Sequence, residues 1–552
     1  MKATDKKFLL FNEYVFQKGY GILFPILLSV IILCFYSHQP GLSTDGTVYL
    51  QIARNLLMTK ELGWQASMFL PFHSILIAVV SYLLNVKDLL FVAGLVSNMM
   101  FLLLVPVVYM LASEMFDKKT AIIASIITAT FPHIIIISNS TEPEITYTTF
   151  LTLSFLLFTI TLKKNSYLCA GLTGLSFALA YLTRSEAFLV MCSIFFLSSA
   201  VQGIKFYQTN VFRFCVVAML VFCVAVLPYA LKLKGDYGQL VLHPKATNVM
   251  QILKWRIPLD RGGEVSYSEL WQLKDSGKFL WQEPVGMSDV IRLFAAYPRE
   301  SLSYYGKSFL RQIPGMIPNG SGMERLPQVF PLYVAIAAFF AFAGGSRQTL
   351  SKEKKCILLA PFLIMFTLPL LGGWWKYMVP YLPTLIILAS QGLVNISAKL
   401  SSRFWNCNIL DTGKVFMIAT TIAIVGRFVF SMHFQKSFVP SQQNVQKSSY
   451  SEELNRVGDW VSGRFEPGKN YMLQWSKLVY YLNGQWTPDP FAEHDAILSF
   501  AKRNKVDYIV KEIVGSTISI EEIKTPPPGI KFVDLYVSER GSYKIAFYEL
   551  HK

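Results

Sequence analysis

Charge is what this chain has least of. Only 16% of its 552 residues are Asp, Glu, Lys or Arg, and its mean hydropathy is +0.40. A soluble protein of this length carries nearer a quarter of its residues as charge, so the composition points to a polytopic membrane protein. Cysteine is scarce as well. The seven cysteines, Cys34, Cys169, Cys192, Cys215, Cys223, Cys356 and Cys407, fall in apolar runs or an inner loop. None lies in the long polar loop or the polar tail, so no disulfide framework is implied. The chain also lacks a CxxC pair, an HExxH, a Walker-type phosphate loop and a GxGxxG after a strand, the common signatures of zinc, nucleotide and dinucleotide sites. Acidic residues are outnumbered, 35 against 51 basic, for a net charge of +16. The basic residues are spread over both faces of the membrane rather than gathered in one stripe, which argues against a nucleic-acid partner.

What is present is a series of apolar runs long enough to cross a bilayer as helices. They lie near 19–37, 89–112, 121–138, 147–162, 166–182, 187–201, 214–231, 328–344, 356–372, 377–395 and 414–432, about eleven spans in all. No small-residue cleavage pattern follows the first before Tyr36, Ser37 and His38, so it reads as a retained helix and not a signal peptide. The stretch Met68 to Leu84 could be a further span, and counting it would reverse the side of everything after it. Leaving it out places Lys118, Lys119, Lys163, Lys164, Lys205, Arg213, Lys354, Lys355 and Lys399 inside, as the positive-inside rule requires. Residues 62–86 then read as juxtamembrane helices in the outer interface. The N-terminus is expected in the cytoplasm and the tail outside.

This topology puts the rare carboxylates on one outer face. Outer loops are expected at about 38–88, 139–146 and 232–327. The first carries Asp45 in TDGTVYLQIARNL and the second carries Glu142 and Glu144 in STEPEITYTTF. The turn after the fifth span carries Arg184 and Glu186 in YLTRSEAF, and GGWWKYMVPYLP places Lys376 and Tyr377 at another outer end. A bilayer tolerates such groups only where they are wet, paired or functional. Each also has a plainer reading. Asp45 suits an N-cap for a helix beginning at Thr47, and Glu142 suits a cap ahead of Pro143. Arg184 and Lys376 suit snorkelling anchors at span ends.

The long outer loop mixes aromatics with cations, among them Lys307 and Arg311, and 288–317 has near-helical apolar spacing. It reads as an interfacial anchor or as a groove for an anionic lipid headgroup. Beyond His433 the composition becomes that of a soluble α/β domain. Helices are expected around Leu454 to Val461 and Ala496 to Lys505, and strands over Tyr471–Trp475, Val506–Val510, Lys531–Ser538 and Tyr543–Leu550. The expected domains are thus 1–432, in the membrane, and 433–552, outside it.

The order of these pieces resembles the GT-C superfamily of polyprenyl-phosphate-sugar-dependent glycosyltransferases, which includes protein mannosyltransferases and aminoarabinose lipid A transferases. The pieces are TDGTVYLQIARNL, FLPFHSILIAV, TEP opening the fourth span, GLSFALAYLTRSEAF, LPYAL, KYMVPYLP and an outer tail with VDYIV. They cover nearly the whole chain. The resemblance implies a multi-pass enzyme, expected in a bacterial inner membrane. It implies sugar transfer, with inversion, from a polyprenyl-phosphate donor to a glycolipid, lipid A, polysaccharide or protein acceptor. It implies Asp45 as the base and Glu142 as an acceptor-orienting or metal-holding group, with a divalent metal left open. Arg184 and Lys376, then Lys307 and Arg311, are its candidates for the donor phosphate, and Tyr49, Glu144 and Tyr377 for acceptor contacts. Two departures stand out: Gly46 follows Asp45 where many relatives have a second carboxylate, and His73 stands where Pro or a small residue is common. The competing class is a lipid or sugar transporter or flippase, which would place its ionisable residues nearer the midplane.

Overall fold

The structure is a computed structural model. It describes residues 22–34, 42–203, 206–237, 271–273, 279–281, 292, 295–312, 352–367, 377–403, 453–473, 476–489, 494–514, 519–538 and 543–551. In chain order the helices are α1 (Ile22–Cys34), α2 (Thr44–Thr59), α3 (Phe72–Leu84), α4 (Leu89–Met115), α5 (Lys118–Thr130), α6 (Pro132–Ser138), α7 (Glu144–Lys164), α8 (Tyr167–Tyr181), α9 (Glu186–Gln202) and α10 (Asn210–Tyr237). A short hairpin, β1 (Trp271–Leu273) and β2 (Phe279–Trp281), precedes α11 (Pro298–Gln312), α12 (Lys352–Thr367) and α13 (Leu382–Arg403). The tail contributes α14 (453–462), β3 (Asn470–Leu473), α15 (Ser476–Tyr481), β4 (Gln485–Pro488), α16 (His494–Arg503), β5 (Tyr508–Val514), α17 (Ile520–Lys524), β6 (Ile530–Val537) and β7 (Tyr543–Leu550). The chain divides into two compact units. One comprises 1–41, 70–232 and 303–436; the other comprises 42–69, 233–302 and 437–552.

The first unit is a helical bundle. Among the described residues, Leu89–Met115, Glu144–Lys164, Asn210–Asp236 and Val379–Ile396 are long and apolar enough to cross a membrane. The expected spans at 328–344 and 414–432 lie outside the described residues, and the count of eleven is not reached within them. The expected span 121–138 is two helices. Pro132 bars the helical conformation to the residue before it, and Phe131 is extended at φ −73° and ψ 117°. Helix α3 has 13 residues, about 20 Å of rise, short of the hydrocarbon thickness.

Helix α7 is the centre of the bundle, packed on α4 and α8. It is rich in Thr, yet its hydroxyls are satisfied within the helix. Thr148 donates to the Glu144 carbonyl (2.7 Å), Thr149 to Ile145 (2.9 Å) and Thr152 to Thr148 (2.7 Å). No water need accompany them into the interior. Helices α8 and α10 approach closely at Gly174, where a Cβ would meet the Ala218 carbonyl at 2.1 Å. Small residues at such crossings are what bring membrane helices together.

The second unit is built on a five-stranded sheet ordered β4-β3-β5-β7-β6. Strand β3 is parallel to both β4 and β5, while β7 runs antiparallel to β5 and β6. Its main core joins Leu454, Val457, Val461, Tyr471, Val479, Leu482, Trp486 and Phe547 to Val48, Tyr49, Ile52, Ala66, Met68 and Phe69. Helix α2 and the 3-10 turn Trp64–Ser67 therefore fold as part of the sheet unit, although the sequence reads them as an outer loop of the membrane domain.

Candidate functional site

At one end of the first unit the rare charges converge. The Leu182–Ser185 turn links α8 to α9, and its Arg184 amide donates to the Ala180 carbonyl at 2.8 Å. This aims the guanidinium at the starts of α7 and α9. Arg184 Nη1 donates to Glu144 Oε1 at 2.7 Å, and Nη2 donates to Glu186 Oε1 at 2.7 Å. The Arg184 side chain is 13% exposed, Glu144 2% and Glu186 15%. On its remaining side the guanidinium carbon lies 4.5 Å from the centre of the Tyr377 ring. Burial alone would lower the pKa of Arg184, but the Glu186 and Glu144 carboxylates and Tyr377 outweigh it and hold the group raised, so it keeps its charge.

One turn into α7 from Glu144, Tyr147 brings its hydroxyl to 3.5 Å from that of Tyr381, and both rings are buried. Helix α3 is tied in at its start. The Phe72 amide donates to the Leu182 carbonyl at 3.0 Å, and His73 Nδ1 lies 3.0 Å from Thr146 Oγ1. Glu142 is half-buried in the connection just before α7, its amide donating to Ser140 Oγ at 3.3 Å. Pro143, not Glu142, occupies the position ahead of the helix and caps it with no side chain.

The other end of the bundle carries Glu114 with Lys163 and Lys354. Lys163 Nζ pairs with Glu114 Oε2 at 2.7 Å, and Lys354 Nζ donates to the Glu114 carbonyl at 2.6 Å. Helix α7 separates the two ends by about 30 Å of rise, one bilayer core.

Asp45 belongs to the second unit, in the first turn of α2 and half-buried. It is not the cap. Ser43 is, its Oγ accepting from the Gly46 amide at 2.9 Å, and the helix begins at Thr44 instead of Thr47. Tyr49, on the next turn, packs edge-to-face on Phe69 with ring centres 5.5 Å apart, inside the unit's core. Lys376 lies outside the described residues, and Lys307 and Arg311 fall on α11 with side chains outside them. The structure thus brings together Arg184, Glu144 and Tyr377 from the sequence candidates and adds Glu186, Tyr147 and Tyr381. Glu186 was readable as the carboxylate of TRSEA, two residues after Arg184. The two tyrosines, apolar in pattern, carried no separate signal.

Residues 69–229 match the family of dolichyl-phosphate-mannose-protein mannosyltransferases. No curated protein matches the chain. Among solved structures, ArnT from Cupriavidus metallidurans bound to undecaprenyl phosphate superposes with a TM-score of 0.55 at 13% identity, covering 97% of this chain and 98% of that one. The oligosaccharyltransferase AglB from Archaeoglobus fulgidus, in complex with an inhibitory peptide and a dolichol-phosphate, superposes with a TM-score of 0.55 at 14% identity, covering 90% of this chain and 69% of that one. The chain shares its overall fold with these two structures.

Proposed function

We propose that this GT-C glycosyltransferase transfers a sugar from a polyprenyl-phosphate donor to an extracytoplasmic acceptor, with inversion at the anomeric carbon. The observation that carries the reading is the buried Glu144–Arg184–Glu186 cluster at the end of the bundle opposite its basic residues. A membrane chain this poor in charge retains two carboxylates and a guanidinium there, at the ends of spans rather than at their midpoints. That placement suits chemistry at the interface better than passage through it. The positive-inside rule supports a cytoplasmic N-terminus and, in this reading, an extracytoplasmic C-terminal domain.

In this reading Asp45 takes the proton of the acceptor hydroxyl. The oxygen attacks the anomeric carbon as the bond from that carbon to the phosphate oxygen breaks, through an oxocarbenium-like state, and the lipid phosphate leaves with the electron pair. Both terminal nitrogens of Arg184 are already engaged by carboxylates. We therefore assign Arg184 to holding Glu144 and Glu186 in place, with Tyr377 stacked on it. The donor phosphate falls to Lys376, the neighbour of Tyr377 in sequence, and to Lys307 and Arg311. The cluster's own formal charge of about minus one, two carboxylates against one guanidinium, suits a lysine beside it. Glu142 orients the acceptor, which the residues leave open among glycolipid, lipid A, polysaccharide and protein.

The test is sugar transfer from polyprenyl phosphate by the wild type and by Asp45→Asn in membranes. Loss of about 10²- to 10⁴-fold in the variant is expected for removal of a general base. Equal transfer by both would take Asp45 out of that role. A folded wild type that transfers to no acceptor would move the reading to a flippase.

A further inference from the structure

Helix α2 carries Asp45, and its middle is fastened by a shared bond. Gln51 Nε2 donates to the Gly484 carbonyl at 3.1 Å, and Arg54 Nη1 donates to the same oxygen at 2.9 Å. The two donors stand three residues apart, on one face of the helix. Gly484 leads into β4, the edge strand of the sheet. The next carbonyl of the same orientation, that of Trp486, accepts from Gln65 Nε2 at 3.4 Å, and Trp64 packs on the Trp486 ring at 5.5 Å. Segment 42–69 thus covers the edge of the sheet through its alternate carbonyls.

The acceptor oxygen is itself held in place. Asn483 before it is left-handed at φ 50°. A Cβ on residue 484 would stand 2.4 Å from the Tyr471 ring and 2.5 Å from the Lys469 carbonyl. Only glycine brings the backbone this close to the sheet. Arg54 has no carboxylate among the partners described for it, and burial lowers its pKa. Arg54 is half-buried, and even partial desolvation of an arginine is costly for adhesion that Val48, Tyr49 and Ile52 already supply in the core.

Apolar packing is non-directional, whereas two donors converging on one oxygen fix the rotation of a helix about its axis. We infer that Gln51 and Arg54 are positioning residues that set the orientation of Asp45 through their shared bond to the Gly484 carbonyl. Asp45 stands six residues before Gln51, about 9 Å along the axis. Turning α2 by about 20° would move a side chain at its rim by about 2 Å, and misplacement of 1 Å can cost about 100-fold in rate. The inference rests on the reading of Asp45 as the base.

The test compares wild type, Gln51→Leu/Arg54→Met and Arg54→Lys in the full chain, reading transfer kinetics and amide hydrogen exchange together. In the double variant kcat is expected to fall about 10- to 100-fold while KM for the donor stays within about twofold. Amides in the first turns of α2 should exchange faster while those of β5 and β7 keep their protection. Arg54→Lys, which can still donate to the carbonyl, should restore most of both. Unchanged α2 exchange, or exchange that rises through the sheet as well, would overturn the inference. So would full activity with a loosened α2. If the wild type transfers nothing, the base role of Asp45 fails by that result alone, and the exchange pattern decides separately whether the two side chains hold the helix.

Discussion

The two ends of α7 hold the same chemistry in different surroundings. At one end Lys163 and Glu114 lie 2.7 Å apart with 60% and 18% of their side chains exposed. At the other, Arg184 and Glu144 lie 2.7 Å apart with 13% and 2% exposed. Water competes for the first pair, screens it and takes over either partner when the other is removed. The second pair has little water to fall back on, so its members depend on each other. Distance alone does not rank these bonds; exposure does.

Four substitutions would sharpen or break this contrast. The largest effect is expected for Arg184→Met, which removes the guanidinium that binds both Glu144 and Glu186. About 3 to 5 kcal/mol of stability should be lost, read as a fall in the thermal midpoint of the detergent-solubilised protein. Glu144→Gln keeps an oxygen acceptor for Nη1 but removes the charge, and about 2 kcal/mol is expected by the same measurement. Glu186→Gln, at a more exposed position, should cost about 1 kcal/mol and stay below Glu144→Gln. Lys163→Met comes last, at about 0 to 1 kcal/mol, and added salt should shrink even that. A Lys163→Met variant as damaged as Arg184→Met would mean that exposure is not what separates the two ends.

The bundle end was legible in the sequence because charge is so rare there. Counting basic loops gives each span an expected side, with TEPE, TRSE and WWKY sharing one face, and of these Glu144, Arg184 and Tyr377 do meet. The order of importance within it was harder to read. Glu144 stood in the sequence among the acceptor contacts, yet its depth in the span makes it the buried partner of Arg184. The start of α2 was blurred because Ser43, Thr44 and Asp45 are all good caps, and only geometry selects Ser43. The break at Pro132 was written in the sequence and hidden by the apolar run around it. The fusion of 42–69 with the sheet had no local signal at all, since Gln51 and Gly484 are 433 residues apart. Periodicity reports which face of a helix is buried, not which distant segment buries it.

That separation has a consequence in time. A ribosome adds roughly 5 to 20 residues per second, so α2 is made roughly 20 to 90 s before the strand edge it pairs with. Throughout that interval the apolar face formed by Val48, Tyr49 and Ile52 has only the neighbouring segment with Ala66, Met68 and Phe69 to pack on. The newborn protein therefore passes through a stage in which its bundle can assemble while the Asp45 helix waits uncovered, open to capture by chaperones or proteases until the last strands arrive.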